Sequence, residues 1–318
     1  MGSKLRRGIL ASLCMLILIL DSKTALESGA AGLQICIMQV IPALLPFFVL
    51  SLMISSAFTG ADIPLFRPLG RLCRMPAGSE TLLILGLLGG YPAGAQGVSQ
   101  AYYDGQLSKE DANRLLGFCS NAGPAFLFGI GSAIFVERWL PWALWLIHMV
   151  SAVLTGYLLP GGSSATVRLP GKKPVTLPEA LERAIQIMAK VCGWIVLFRV
   201  LQGFLDRWLL WAIPSTTRIG IIGMLELANG CLQLTQIGDV GLRALLCSGF
   251  LALGGICVTM QTVSVTGPLG LGMYIPGKVL QCTISMLMTV CLIWVCFSRS
   301  VLVHYAPLLI IVLACFTA

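Results

Sequence analysis

Long apolar segments, separated by short stretches in which Lys and Arg cluster, make up most of the chain. Of its 318 residues, 57% are hydrophobic and only 11% are charged, and the mean hydropathy is +0.90. Soluble domains carry about a quarter charged residues. Because lipid offers the backbone no hydrogen-bond partners, segments of this kind cross a membrane as helices. The sequence therefore predicts an all-α, multi-pass integral membrane protein embedded in a lipid bilayer.

Other protein classes have little support in the sequence. The net charge of +8 could suggest nucleic acid, but the basic residues lie in short clusters between apolar segments, which is typical of cytoplasmic loops. The twelve Cys residues form no Cys-x-x-Cys pair, and two His residues are too few for a His-based metal site or a Ser-His-Asp triad. We therefore expect no nucleic-acid partner, no enzymatic activity and no cofactor.

Two glycine-rich interruptions break this apolar pattern, one in each half of the chain. The first, Gly86 to Gly97, reads GLLGGYPAGAQG, and the second, Leu253 to Gln261, reads LGGICVTMQ. Glycine weakens a helix and Pro92 removes a backbone donor. Paired interrupted helices are the sequence feature that best marks the binding site of a secondary transporter. The four-residue spacing of glycines in the first copy equally suits close helix packing, so both interpretations stay open.

The domain organisation follows from the apolar segments and the loops between them. We expect an N-terminal transmembrane segment over 1–29, a first repeat over 30–160, a cytoplasmic linker over 161–178, a second repeat over 179–298 and a C-terminal transmembrane segment over 299–318. The N-terminal segment is interpreted as retained, with a cleaved signal as the alternative. The two repeats are predicted to have inverted topology and to contain broken or re-entrant helices.

The orientation of the loops constrains the first repeat. The basic clusters at 67–74 and 168–173 should both be cytoplasmic, which requires one interrupted segment between them to be a re-entrant hairpin. Ser108 is predicted to cap a short amphipathic helix at the membrane interface. In the second repeat, Ile219 to Ile237 and Leu242 to Val265 are each predicted as one span.

The candidate substrate-binding residues lie in the interruptions or are polar residues buried in the spans: Gly90, Tyr91, Gln96, Asn121, Arg199, Glu226, Asn229, Gln261 and Thr262. A guanidinium at 199 has the planar geometry that suits a carboxylate. Glu226 is interpreted either as the ion-pair partner of Arg199 or as a protonatable coupling group. A purely architectural pair of these two residues is the alternative.

Four blocks of the sequence resemble those of the YlbJ-type sporulation integral membrane proteins: Gly89 to Ala95, Leu115 to Pro124, Glu226 to Gly230, and Gly254-Gly255 with Gln261. That family belongs to a larger set with a nucleoside-recognition gate domain. The resemblance implies an architecture similar to concentrative nucleoside transporters and a role in passage of dipicolinic acid across the outer forespore membrane. The stretch after Gly255 is poorer in hydroxyl groups than the family pattern, which leaves the substrate open.

The sequence thus predicts a transporter or permease for a small anion such as dipicolinate, or for a nucleoside-like solute. We expect it in the cell membrane or the outer forespore membrane. A sporulation assembly factor that transports nothing is the alternative. A sodium or proton coupling ion and assembly into a homo-oligomer are left open.

Overall fold

The computed structural model describes residues 3–58, 64–163 and 174–297. Within these ranges every regular element is a helix and no strand occurs, which confirms the predicted all-α architecture. Five helical segments among these residues are long and apolar enough to cross a membrane: Ser22–Ile54, Leu140–Leu158, Leu177–Trp208, Val240–Leu269 and Tyr274–Cys296. The chain is a multi-pass integral membrane protein. The C-terminal segment predicted at 299–318 and residues 164–173 of the linker lie outside the described residues.

The first half contains a leading helix, a helical hairpin, an interrupted segment and a closing helix. An exposed N-terminal helix, α1 (Ser3–Leu20), precedes them. The helices that follow are α2 (Ser22–Ile35), α3 (Ile41–Phe58), α4 (Arg67–Leu72), α5 (Glu80–Gly89), α6 (Ala93–Tyr103), α7 (Lys109–Leu116), α8 (Pro124–Ile134) and α9 (Leu140–Leu158). A π-helical turn over Cys36–Val40 joins α2 to α3, so these two form one long helix.

The second half repeats this order of elements. Its helices are α10 (Leu177–Trp208), α11 (Ser215–Leu225), α12 (Leu227–Gln233), α13 (Val240–Leu253), α14 (Gly255–Thr266) and α15 (Tyr274–Phe297). The long helix α10 leads, α11 and α12 form a hairpin, α13 and α14 form the interrupted segment, and α15 closes the half.

Glycines allow α5 and α6 to pack closely as an antiparallel hairpin. A Cβ on Gly94 would lie 2.8 Å from Gly86 Cα, and a Cβ on Gly97 would lie 2.7 Å from Leu85 Cδ2. The later glycine contacts the earlier residue, so the two helices run in opposite directions. A Cβ on Gly86 or on Gly94 would also overlap the Cys119 carbonyl oxygen. The glycines therefore serve close packing, and Gly90 beyond them forms the turn.

The second hairpin was not predicted. Sequence analysis expected one span from Ile219 to Ile237, and the structure shows this to be wrong. Glu226 adopts an extended conformation (φ −146°, ψ 121°) that ends α11 and starts α12. A Cβ on Gly230 would overlap Gly223 Cα, because α12 folds back against α11.

The break predicted at the second Gly-Gly pair is confirmed, but its role differs from that of the first pair. Gly254 has a left-handed backbone (φ +76°), which interrupts the helix between α13 and α14. These two helices continue as one crossing segment, Val240–Leu269. The first Gly-Gly pair lies at a hairpin turn. The two motifs are therefore not equivalent positions of a repeat, and the sequence match between them was misleading.

Arginine side chains hold several loops together at one end of the molecule, here called the basic end. The Arg74 Nη2 donates to Leu159 O at 2.8 Å. The Arg114 guanidinium donates to Cys73 O at 2.9 Å and to Gly156 O at 2.6 Å. The first hairpin begins after Arg74 and ends shortly before α7, so both of its ends lie here, as the basic clusters predicted.

The cap predicted at Ser108 and the amphipathic character predicted for α7 are confirmed. Ser108 Oγ accepts a hydrogen bond from Asp111 N at 3.0 Å. The last turn of α7 is buried, and its Arg114 is only 6% exposed. Its guanidinium is satisfied by backbone carbonyls, which stabilises a buried charge far better than apolar neighbours would.

Contacts at the two ends also fix the direction of the second half. Arg243 donates to Ile134 O at 2.7 Å and to Ile237 O at 2.7 Å, which joins the ends of α8 and of the second hairpin to the start of α13. Tyr103 Oη donates to Thr266 O at 2.8 Å. The α13–α14 segment therefore starts at the end opposite the basic end and finishes at the basic end.

The packing of the first hairpin can be tested with Gly94→Ala. The added methyl would overlap a backbone carbonyl that cannot move cheaply, so we expect the variant to lose about 1–3 kcal/mol of stability. The matched control is Gly193→Ala on α10, where a Cβ meets nothing within 4 Å and which should be neutral or slightly stabilising. Thermal unfolding of the purified proteins measures both. Equal melting temperatures for the two variants would contradict the packing described here.

Candidate functional site

Four interruptions of helical structure meet in the interior, at residues 90–92, 117–123, 226 and 254. In the first half, a Cβ on Gly90 would lie 2.9 Å from Gly123 N. In the second half, a Cβ on Gly255 would lie 2.8 Å from Met224 O. Each hairpin turn therefore rests against the interrupted segment of its own half.

Tyr91 connects the two halves. Its hydroxyl donates to Leu251 O at 3.2 Å, at the carboxyl end of α13. A Cβ on Gly254 would lie 3.3 Å from Tyr91 Cζ, so the ring packs closely against this glycine. The turn of the first hairpin is thus anchored on the interruption of the second half.

A buried cavity of about 50 Å³ lies where these interruptions meet. It is lined by the turns of both hairpins and by the start of α8, with α3, α10 and α14 completing the wall. Four of the predicted site residues line it: Gly90, Tyr91, Glu226 and Gln261. The space suits about three or four water molecules. A pyridine dicarboxylate is larger, so the hairpins would have to separate to admit one.

Glu226 closes the amino end of α12. Its carboxylate is 3% exposed and accepts hydrogen bonds from Ala228 N at 2.8 Å and Asn229 N at 2.7 Å. Such a cap satisfies two unpaired N–H groups and places negative charge at the positive end of the helix dipole. Among the described residues, no ion pair within 4.0 Å joins Glu226 to Arg199. Of the two alternatives for Glu226, the close ion pair with Arg199 is not formed, and the helix end compensates the carboxylate instead.

Asn229 takes part in a second buried polar contact. Its Nδ2 donates to Gln202 Oε1 at 2.5 Å, and Gln202 Nε2 donates to Ile222 O at 3.3 Å. Gln202 lies on α10 and is fully buried. The second hairpin is thus fixed to the long helix of its own half. Sequence analysis placed Asn229 at the substrate, whereas the structure places its amide in this contact.

A buried lysine on α15 is the residue that sequence analysis missed. Lys278 is 1% exposed. Its ammonium donates to Ser120 O, to Gln281 Oε1 at 2.6 Å, to Tyr91 Oη at 3.3 Å and to Asn121 Oδ1 at 3.4 Å. A single Lys inside an apolar span is itself a signal of function, and it could have been found on that ground. Asn121 is fully buried and serves this cluster instead of lining the cavity.

A second cavity of about 160 Å³ lies beside the first, between α3, α6, α10 and α14. It brings together Gln96 and Gln261, as predicted, although they are far apart in sequence. Arg183 and Lys190 line its wall from α10, and both are exposed, as is Gln96. Gln261 lines both cavities. The two cavities therefore adjoin at this amide, and the outer one carries two positive charges.

Four predicted site residues line neither of these cavities: Asn121 and Asn229, described above, and Arg199 and Thr262. Arg199 packs against α2, where a Cβ on Gly32 would lie 3.1 Å from Arg199 Cβ. Thr262 is fully buried, and its hydroxyl donates to Val258 O at 3.0 Å within α14. The sequence showed that these two residues are polar and lie in apolar spans, but it did not show which way their side chains face.

The fold and its centre define a multi-pass α-helical membrane protein in which two helical hairpins meet interrupted helices around a buried cavity. The chain is 25% identical to the sporulation integral membrane protein YlbJ of Bacillus subtilis strain 168, over 83% of this chain and 76% of that protein. This similarity supports the predicted kinship with the YlbJ-type sporulation integral membrane proteins. No protein-family model matches the chain, and no solved structure matches it.

The contact between Gln202 and Asn229 can be tested by a double-mutant cycle. Replacing either residue by Leu leaves the other amide buried without its partner, so each single variant should lose about 1–3 kcal/mol. The double variant should lose less than the sum, because it leaves neither amide unpaired. Denaturant unfolding in detergent measures the cycle, with the exposed Gln186→Leu on the same helix as the control. Strictly additive losses would show that the two amides do not interact.

Proposed function

We propose that the protein is a transporter or permease for a small polar solute, with dipicolinic acid at the outer forespore membrane as the leading substrate. The observation that carries the proposal is the meeting of two hairpin turns and two interrupted helices around one buried cavity. Backbone breaks at membrane depth persist only where they are buried in protein or line a water-filled cavity, and here they border a cavity. Binding at interrupted helices is the general arrangement in secondary transporters.

The charges along the route favour an anion. A solute entering through the outer cavity meets Arg183 and Lys190 and then the Gln261 amide. Beyond it, α8 begins at the central cavity, where Gly123 and Ala125 line the wall, and its helix dipole makes this amino end attractive to a carboxylate. The Glu226 carboxylate opposes an anion, but its charge is already compensated by the end of α12. A nucleoside would use the amides and Tyr91 without needing these positive charges.

Alternating access requires two halves that can move against each other, and we infer that the halves are inverted repeats. The same order of elements occurs twice. The first hairpin has both ends at the basic end, and the second has its far end beside Ile134 and Arg243 at the opposite end. The crossing segments α7–α8 and α13–α14 run in opposite directions, which supports a relation by an axis in the membrane plane.

The biological setting comes from the similarity to the sporulation protein of Bacillus subtilis. The resemblance to the YlbJ-type proteins points to dipicolinate as the cargo. The tight glycine packing of α5 against α6 also suits an assembly factor, which would bind protein partners instead of moving a solute.

Uptake into vesicles distinguishes these functions. Purified protein in lipid vesicles should take up labelled dipicolinate faster than empty vesicles do, and faster than it takes up a nucleoside. Gln261→Leu removes the amide shared by both cavities at nearly constant volume, so we expect a loss of about 10-fold or more in uptake rate. Gln96→Ala should also reduce uptake, by a smaller factor because this side chain is exposed.

The matched control is Gln100→Ala, one helical turn beyond Gln96 on α6. Gln100 is exposed and bonds only within its own helix, to Asp104, so its replacement should leave uptake unchanged. Equal membrane abundance of all variants shows that folding is intact. If the wild type moves neither dipicolinate nor the nucleoside, the transport proposal fails. The assembly function then predicts that these substitutions alter recovery of partner proteins from sporulating cells.

A further inference from the structure

The ammonium group of Lys278 is surrounded by more oxygens than it has protons. Four oxygens lie within 3.4 Å of Nζ: the Ser120 carbonyl, the Asn121 and Gln281 amide oxygens and the Tyr91 hydroxyl. An ammonium has three N–H donors. The arrangement is therefore a coordination shell around a positive charge instead of a set of paired hydrogen bonds.

The oxygens face Nζ because their neighbours hold them there. Gln281 Nε2 donates to Asn121 Oδ1 at 2.9 Å and to His148 O at 3.4 Å, which turns the Gln281 oxygen toward Lys278. Asn121 Nδ2 donates to Phe118 O at 2.8 Å, which turns its own oxygen the same way. These bonds do not involve the lysine. The shell is thus built to receive a cation whatever group supplies the charge.

Aromatic rings complete the shell, and no acid neutralises it. Nζ lies beside the hydroxyl edge of the Tyr91 ring and 5.9 Å from the centre of the Tyr274 ring, which is within the range of cation–π attraction. Among the described residues, no carboxylate lies within 4.0 Å of Nζ. Neutral oxygens, without a carboxylate, are ligands that suit a monovalent cation.

The oxygens of the shell come partly from the helix interruptions of the first half. Tyr91 belongs to the first hairpin turn, and Ser120 and Asn121 belong to the interruption between α7 and α8. In secondary transporters, unwound carbonyls and the carboxyl ends of half-helices bind the coupling cation. Here the ε-amino group of α15 occupies such a position.

We propose that Lys278 is a built-in cation, which fills a monovalent-cation site formed by Tyr91, Ser120, Asn121 and Gln281 and holds the first hairpin turn in place without sodium or potassium. The site itself does not depend on the transport function. The consequence for coupling does: it rests on the proposed function and predicts uptake that needs no sodium or potassium gradient.

Lys278→Ala tests the site by emptying it. In full-length protein, we expect this variant to melt at a lower temperature than wild type in N-methyl-D-glucamine chloride. Its melting temperature should rise by about 3–6 °C, with saturation, when NaCl, KCl or methylammonium chloride replaces that salt at constant ionic strength. The wild type should show the same melting temperature in all four salts, because its site is already filled.

Two variants distinguish cation binding at this site from a general effect of salt on the melting temperature. Lys278→Met removes the charge but leaves a side chain of similar length in the space that the lysine occupied. A free cation therefore cannot enter the site, and the melting temperature of this variant should not depend on the cation. Lys109→Ala, exposed on α7, should behave as wild type. Radioactive sodium should bind to Lys278→Ala and not to the wild type or to Lys278→Met.

Each contrary result overturns the proposal. Sodium binding by wild type would show that the lysine does not occupy the cation site. If the melting temperature of Lys278→Ala responds to none of these cations, or if this variant does not fold in the presence of any of them, a free cation does not replace the ammonium. These measurements need no transported solute. If they succeed while vesicle uptake is absent, the cation site stands and the transport function falls.

Discussion

The structure depends on one constraint: a helix interrupted inside lipid leaves backbone groups that need partners from elsewhere in the protein. Two side chains donate to the free carbonyls, since Tyr91 bonds to the end of α13 and Lys278 bonds to Ser120 O. A carboxylate accepts from the free N–H groups, since Glu226 caps α12. The interruptions are stable because they lie together, where a small number of polar residues serves all of them.

Two kinds of contact hold the centre together, close packing between helices and individual polar contacts at the turns. The hairpins pack on glycines, so their helices approach closely. Their turns are held to the rest of the protein by individual polar contacts such as those of Tyr91 and Asn229. In the proposed transport function, a solute that offers oxygens or donors of its own would replace such contacts, while the apolar packing along the helices would remain. Under that proposal, the small central cavity corresponds to a closed state.

Sequence reasoning succeeded where the signal was local. Glycine and proline predicted the breaks at 90–92 and 254, and Ser108 predicted a helix start. It failed where a break depends on a partner. In the sequence, Glu226 looked like a polar residue on one face of a helix. A glutamate ends a helix only when free N–H groups lie within its reach, and the sequence does not show where those groups are. Sequence reasoning selected Arg199 and overlooked Lys278, although both are charges in apolar spans, and only the second reaches the centre.

The sequence by itself determined the class: composition and segment length require an α-helical, multi-pass membrane protein, because hydration and backbone hydrogen bonding depend on each segment separately. Only the tertiary structure decided which polar groups meet. Lys278 lies 158 residues from Ser120 and 187 from Tyr91 in the chain. No local pattern encodes such distances. They result from helices packing across the whole protein, so the cation shell and the cavity beside it exist only once both halves have folded together.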